Sequence, residues 1–263
     1  MEWIEPTSYK NDCFHADIYL RILLINIETI LKYKMINTRI AVISANLGGI
    51  DDNVKIVHPE QILDDGFELT FFQLTDENFP PRHKALHPRL QAKIPKMLGY
   101  ELYPGFDYYI WLDGNFSLVD RNSVMEFVKS CQGFDACFFV HPYRKTVNDE
   151  FEFMLNNLDE DRYLQNRYHN EYIKEQQQIY STLEGFNDQM LFAFGSFIYS
   201  KSLIEKQEFN ILQQWFYHNS RYSVQDQLSL PYILLKNKDI YNIGLLTGRI
   251  TKINKYVLYH RGH

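Results

Sequence analysis

The chain has 263 residues, of which 45% are hydrophobic and 16% aromatic, and its formal net charge at pH 7 is −6. This length suits one large α/β domain or two small ones, and the apolar content is ample for a core. The negative charge argues against a general nucleic-acid-binding protein, although a local basic cleft for a small anionic ligand is compatible with it.

Cysteine usage and hydropathy indicate the compartment. The three cysteines form no CxxC pair, which argues against a disulfide framework or a zinc site and favours a reducing, cytoplasmic setting. The N-terminus shows no basic-then-apolar signal segment. The most apolar stretch, Ile18 to Ile36, carries charged residues and is too polar to span a bilayer. We expect at most peripheral association with the inner face of a membrane, and the oligomeric state stays open.

In chain order, the first predicted element is a helix over Asp17–Met35, where apolar residues recur at helical spacing. Such a stripe is typical of a packing helix, and docking to a membrane surface or a partner is the alternative. We therefore divide the chain into a helical extension, residues 1–38, that packs on a domain of residues 39–263.

The rest of the chain alternates between apolar runs typical of strands and longer stretches typical of helices. The predicted strands are Arg39–Ala45, Glu68–Thr75, Tyr108–Leu112, Asp135–Val140 and Met190–Ser200, with Asp239–Ile243 and Lys255–Tyr259 closing the sheet edge. The predicted helices are His87–Leu98, which Pro95 must end or kink, Asn148–Ser181, Leu203–Asn219, and Val224–Lys236, interrupted near Pro231. This alternation predicts an α/β fold with a mixed, mainly parallel sheet flanked by helices.

Ligands of such sheets bind beyond the carboxyl ends of the strands. The turn after the first strand, Asp113 and His141 all follow predicted strand ends. Asp113 begins an Asp-Gly-Asn sequence that is typical of a plain turn, but its carboxylate and the amide of Asn115 also suit a divalent cation held against a diphosphate. Both interpretations stay open at this point.

A second carboxylate stands in Gln225-Asp226-Gln227, at the start of a predicted apolar helix. Capping of the helix is one interpretation. The other places Asp226 against a sugar or a reacting hydroxyl, where it could act as a general base, with Gln227 as a hydrogen-bonding partner.

Basic residues and histidines provide the remaining candidates. Arg89, Lys93 and Lys96 suit either a solvated helix face or a diphosphate site. Arg144 follows His141 just beyond a strand end and could clamp an acceptor or a phosphate. The chain contains no G-x-G-x-x-G, Walker A, H-E-x-x-H or G-x-S-x-G motif, which removes the commonest dinucleotide, NTPase, zinc-protease and serine-hydrolase classes.

The order of these segments resembles a known family. Arg89 and Lys93 precede the stretch Tyr108-Tyr-Ile-Trp-Leu-Asp-Gly-Asn115, and Val140-His-Pro-Tyr-Arg144, Trp215 and Ser223-Val-Gln-Asp-Gln-Leu-Ser-Leu230 follow it. This pattern, over roughly residues 39–236, resembles the glycosyltransferase-like domain of plant turgor-regulation and mucilage-related proteins, which have relatives in bacterial polysaccharide gene clusters. Its most specific pieces are IWLDGN and QDQLSL.

The resemblance implies a GT-A-like, Rossmann-like fold, with a more distant likeness to family-8 retaining glycosyltransferases. That likeness implies a divalent cation, Mn²⁺ or Mg²⁺, held by Asp113, Asn115, His260 and His263. Asn115 departs from the pattern, because it stands where a second acid is expected and an amide oxygen is a weaker ligand than a carboxylate.

The resemblance also implies roles for the other candidates. Ala45, Asn46 and Gly48 would meet the nucleotide, Arg89, Lys93 and Asp113 its phosphates, Asp226 and Gln227 the reacting sugar, and His141, Arg144 and Asp188 the substrate.

The implied activity is transfer of a sugar from a nucleotide-diphosphate donor, with UDP favoured, to a glycan or glycoconjugate acceptor in surface polysaccharide synthesis. Whether the anomeric configuration of the transferred sugar is retained or inverted stays open. The alternative, which Asn115 favours, is a catalytically degenerate module that binds nucleotide sugars or glycans. A sugar nucleotidyltransferase is less compatible, since Asn46-Leu-Gly-Gly49 has no basic residue beside it.

Overall fold

The computed structural model describes residues 18–24, 37–49, 56–79 and 85–260. Its centre is a six-stranded sheet in the order β2-β1-β3-β6-β5-β7. These strands are β1 (Thr38–Ala45), β2 (Phe67–Leu74), β3 (Tyr108–Asp113), β5 (Ala136–Val140), β6 (Phe192–Ser200) and β7 (Ile243–Leu246), while β4 (Phe116–Leu118) pairs with β8 (Val257–Tyr259) in a small second sheet. β6 runs antiparallel to β3 and β5, and the other pairs of the main sheet are parallel. The predicted mixed, mainly parallel sheet is confirmed.

Helices flank this sheet. They are α2 (Pro88–Leu102), α3 (Ser123–Cys131), α4 (Val147–Asn157), α5 (Arg162–Tyr168), α6 (Ile173–Tyr180), α7 (Lys201–Glu205), α8 (Ile211–Arg221) and α9 (Asp226–Lys236). One further helix, α1 (residues 18–24), precedes them in the chain. None of the helices in the described ranges combines the length and apolarity needed to cross a bilayer.

Three clusters of buried side chains form the interior. One face of the sheet packs against α2, α8 and α9 through residues such as Ile43, Met97 and Trp215. The other face packs against α3 through residues such as Val42 and Phe127. The third cluster joins α4, α5 and α6 to α9, so this helical segment is attached at the side of α9.

Two predicted helices were wrong, because local capping divides each of them. Asn148–Ser181 forms α4, α5 and α6: the side chain of Asp161 accepts from two amides of a new helix, and Asn170 adopts a left-handed φ of 70° after α5 ends. Leu203–Asn219 divides into α7 and α8, because Asn210 caps α8 with Gln213 in a capping box.

One proline and the sheet edge differ from prediction. α2 is kinked after Pro95, as predicted, with its non-helical residue at Leu98, whereas α9 continues through Pro231. The predicted edge strand Asp239–Ile243 was wrong, because the edge is β7, which begins at Ile243. The strand predicted at Lys255–Tyr259 pairs with β4 outside the main sheet.

The chain divides into two compact units, residues 1–37 and residues 38–263. The first contains α1, and the rest of the helix predicted over Asp17–Met35 lies outside the described residues. Packing of an N-terminal extension on the domain stays a prediction.

Candidate active site

The candidate site lies at the rim of the main sheet where β1 and β3 end. Ala45 and Asp113 are the last residues of these strands and pair with each other across the parallel ladder. The strand β6 starts at the same rim, because it runs antiparallel, and its residues Phe194 and Gly195 line the same cleft. Asp113 is therefore placed where ligands of such sheets bind.

The cleft at this rim has a volume of about 630 Å³. Besides the strand ends, α2, α4, α5 and the start of α9 contribute to its lining through Lys93, Phe153, Arg167 and Asp226. Its volume falls within the range of about 300–1,000 Å³ that is typical of small-molecule sites. The lining combines basic, acidic and aromatic side chains, so a polar ligand with a flat ring or sugar face would suit it.

Two lysines and two aspartates form a connected ion network in this cleft. Lys93 Nζ lies 2.6 Å from Asp226 Oδ2, and Lys96 Nζ lies 2.8 Å from the same oxygen. Lys96 Nζ also lies 3.0 Å from Asp113 Oδ1, which accepts from Trp111 Nε1 at 2.7 Å. Because α2 continues past Pro95, Lys93 and Lys96 stand on one helix face, and Lys96 connects both aspartates.

Burial and the neighbouring opposite charges shift the pKa values of these groups in opposite directions. Burial alone would raise the pKa of Asp226, whose side chain is 9% exposed, but the ammonium groups of Lys93 and Lys96 hold that pKa well below its usual range. Burial lowers the pKa of Lys93, whereas for Lys96 the carboxylates of Asp113 and Asp226 outweigh burial and raise it. Asp226 is therefore ionised at neutral pH.

The position of Asp226 is fixed by its helix and by a tryptophan. Asp226 is the first residue of α9, and the cap position belongs to Gln225, which makes no capping hydrogen bond with its side chain. The indole Nε1 of the fully buried Trp215 donates to the backbone oxygen of Asp226 at 3.0 Å. The carboxylate binds the lysines of α2, so capping of α9 does not account for this residue.

A second buried network holds the neighbouring wall of the cleft. Glu150 Oε1 accepts from Gln225 Nε2 at 2.7 Å, and Gln225 Oε1 accepts from the Tyr168 hydroxyl at 2.6 Å. Arg144 Nε donates to the other oxygen of Glu150, and its guanidinium lies 4.1 Å from the centre of the Phe153 ring. These bonds tie α4 and α5 to the residue before Asp226.

Most of the predicted site residues line the cleft together: Ala45, Arg89, Lys93, Asp113, Asn115, Arg144, Asp226 and Gln227. The side chain of Gln227 has no hydrogen-bond partner in the described part of the chain, so its amide is available to a ligand.

The other predicted residues lie outside the cleft lining. The amide of Asn46 donates to Leu74, and that of Gly48, which has a φ of 72°, donates to Asp76 at 2.8 Å. His141 Nδ1 accepts from the Arg144 amide at 3.0 Å. Asp188 lies in an exposed turn between α6 and β6.

Two of the three described residues expected to hold a divalent cation have other side-chain partners. Asp113 Oδ1 is occupied by Trp111 and Lys96, and His260 Nε2 lies 2.8 Å from Ser117 Oγ. Across residues 18–24, 37–49, 56–79 and 85–260, no three His, Cys, Asp or Glu side chains are grouped to hold an ion. His263 lies outside these ranges, and cation binding stays a prediction.

Sequence reasoning missed the residues that α4 and α5 contribute: Glu150, Phe153, Tyr163, Arg167 and Tyr168. Prediction of one long helix over this segment gave no reason to place any of them at the sheet rim. The capping residue Asp161 and the left-handed Asn170 were the signals that could have divided the segment.

Comparison with known proteins identifies the family. The family model described as TOD1/MUCI70, glycosyltransferase-like domain, matches residues 81–251, so the chain belongs to this family and the resemblance is confirmed. No curated protein matches the chain. Among solved structures, "Crystal Structure of A197 from STIV" is similar over 86% of this chain and 95% of that chain, with 11% sequence identity and a TM-score of 0.33.

Proposed function

We propose that this protein transfers a sugar from a nucleotide-diphosphate donor, UDP being favoured, to a glycan or glycoconjugate acceptor in surface polysaccharide synthesis. The observation that carries the proposal is the buried Asp226, held by Lys93 and Lys96 in the same cleft as the strand-end Asp113. Membership of a glycosyltransferase-like family supports the reaction class.

The cleft suggests how donor and protein would meet. The nucleotide lies toward Ala45 and Asp113, at the carboxyl ends of β1 and β3. The donor sugar lies toward Asp226 and Gln227, at the start of α9. In this arrangement the reacting bond sits between the strand ends and the helix.

The electrostatics of Asp226 support a role other than general base. A general base works best with a pKa near the working pH, and the pKa of Asp226 is held well below its usual range by two lysines. An ionised carboxylate is suited to accept hydrogen bonds from donor hydroxyls and to stabilise positive charge developing at the anomeric carbon. The unpartnered amide of Gln227 supplies a second polar contact to the same sugar.

No step of this proposal is assigned to a divalent cation, because Asp113 and His260 already have other side-chain partners and His263 lies outside the described residues. Protein cations can offset the charge of the departing diphosphate. We expect donor binding to persist in EDTA, and a thermal-shift comparison of nucleoside diphosphates with EDTA and with Mn²⁺ measures this directly.

The test is release of nucleoside diphosphate from UDP-, GDP- and CDP-sugars. We expect turnover of one donor class, and Asp226→Asn should lower the rate about 100-fold or more, as removal of a transition-state contact does. Glu126→Gln is the matched control, since Glu126 pairs with Lys255 at 2.7 Å outside the cleft. Donor binding without release, with Asp226→Asn changing affinity alone, would instead support the non-catalytic binding module.

A further inference from the structure

We infer that Arg89 and Arg167 together form a binding site for a phosphate-type dianion within the cleft. The inference rests on the proposed function for the choice of ligand and deepens it by locating a phosphate of the donor or of the acceptor.

The charge balance of the cleft singles out these two residues. The basic side chains that the described residues contribute to the lining are Arg89, Lys93, Lys96, Arg144 and Arg167. Three of them have carboxylate partners: Asp226 binds both lysines, and Glu150 binds Arg144. Among the described residues, Arg89 and Arg167 form no direct ion pair with any carboxylate, although Asp226 acts on Arg167 and Glu171 acts on Arg89 at longer range. A ligand anion could therefore pair with both guanidinium groups directly.

The guanidinium of Arg167 is held in place and lacks one partner. It lies 5.1 Å from the centre of the Tyr163 ring and 5.6 Å from that of Tyr168, and its Nη1 contacts the Tyr163 hydroxyl. Its Nε is buried and has no hydrogen-bond partner in the described part of the chain. The two rings and the Tyr163 hydroxyl hold the guanidinium at the cleft, where its charge suits an oxyanion.

Arg89 faces the same space from the first turn of α2. Burial and then the like charge of Arg167 lower the pKa of Arg89, which means that the two cations act on each other. Glu171 also acts on Arg89, but its carboxylate accepts from the Val224 amide at 3.0 Å. The partial positive charge of a helix N-terminus adds to the attraction for an anion here.

These features specify the ligand class. Two half-buried arginines that repel each other are stabilised by an anion carrying about two charges, and planar guanidinium forks match the oxygens of a phosphate group. Phosphate of this kind could come from the diphosphate of the donor or from a phosphate on the acceptor.

The test is calorimetric titration of the full chain with inorganic diphosphate in EDTA. One charged hydrogen-bonded contact corresponds to about 10- to 100-fold in affinity, so Arg89→Gln and Arg167→Gln should each weaken binding by that factor. Arg167→Lys keeps the positive charge but loses the guanidinium fork, so its affinity for inorganic diphosphate should lie between those of wild type and Arg167→Gln. Circular dichroism and melting temperature verify that each variant is folded.

Arg221→Gln is the matched control. Arg221 donates to the Tyr217 hydroxyl at 2.9 Å and lies 4.9 Å from the centre of the Tyr222 ring, so it repeats the Tyr163, Arg167 and Tyr168 spacing outside the cleft. It should bind inorganic diphosphate as wild type does. The inference is overturned if wild type does not bind diphosphate, or if Arg89→Gln and Arg167→Gln both retain full affinity.

Competition with UDP distinguishes the two sources of phosphate. If the site takes the donor, UDP displaces inorganic diphosphate and loses affinity in the same variants. If it takes the acceptor, UDP and diphosphate bind together, and the variants leave UDP affinity unchanged. Either result supports the site. If wild type binds diphosphate but transfers no sugar, only the proposed function is contradicted.

Discussion

At the scale of single residues, the ionised state of Asp226 depends on its two lysine partners. Lys93 and Lys96 both contact the same carboxylate oxygen, at 2.6 and 2.8 Å. Buried charges of this kind are tolerated because they are paired. Removal of the Asp226 charge leaves Lys93 without a carboxylate partner, whereas Lys96 keeps Asp113.

Asp226→Asn should therefore lower the free energy of unfolding by about 3–5 kcal/mol. Adding Lys93→Gln to that variant should recover part of the loss, because one uncompensated cation is removed with it. Urea denaturation of the two variants and wild type measures both effects. Equal stability of Asp226→Asn and wild type would contradict the assigned charge balance.

The low pKa of Asp226 also predicts how stability changes with pH. Since the folded-state pKa lies below the unfolded value, the unfolded chain takes up the proton first as pH falls. The stabilisation that the Asp226 ion pairs provide is complete above the unfolded-state pKa of about 3.9. It is lost progressively as pH falls from there through the folded-state pKa. The stability gap between wild type and Asp226→Asn should narrow as pH falls below about 4, and a constant gap in acid denaturation would count against the assignment.

At the scale of elements, the strands that carry the site could be predicted because their signals are local. β1 and β3 are apolar runs that end in turn residues, and this placed Asp113 correctly at a strand end. The segment Gln225-Asp226-Gln227 was likewise found from its position before an apolar helix. The wall formed by α4 and α5 could not be predicted, since the contacts of Arg167 and Glu150 depend on how helices dock against α9.

β6 contributes a close approach that a methyl group would obstruct. A Cβ added at Gly195 would lie 2.6 Å from Phe116 Cε2 and 2.8 Å from its Cζ, and Phe116 is buried. Gly195→Ala should lower the free energy of unfolding by about 1–3 kcal/mol through overpacking.

Phe116→Leu provides the corresponding rescue, because a smaller side chain gives the new methyl group room. The double variant should lose less stability than the sum of the two single variants, as neighbouring sites that share a contact do. Strict additivity in thermal or urea unfolding would show that the Gly195 and Phe116 contact is not the cause.

At the scale of the whole molecule, the buried clusters found among the described residues lie in the unit of residues 38–263. Deletion of residues 1–37 should therefore leave a chain that unfolds cooperatively and still binds inorganic diphosphate. Differential scanning calorimetry and the same titration measure these properties. Loss of the cooperative transition would show that the core needs the first unit, and a large drop in melting temperature would support its predicted packing on the domain.

A second cavity offers the clearest competing location for a ligand. It has a volume of about 360 Å³ and is lined by Val42, Val57, His58 and Phe71, with Val42 in the buried cluster of the α3 face of the main sheet. The described residues of its lining include no arginine or lysine, unlike those of the cleft at the sheet rim. The positive side chains of the cleft at the sheet rim therefore favour that cleft as the site for a nucleoside diphosphate.

The most direct measurement is a crystal structure of the protein with a bound nucleoside diphosphate. We predict that its phosphates lie in the rim cleft, between the end of β3 at Asp113 and the start of α9 at Asp226, within reach of Arg89 and Arg167. A nucleotide bound instead at Val57 and Phe71, with the rim cleft unchanged and the Lys93–Asp226 ion pair intact, would contradict the account.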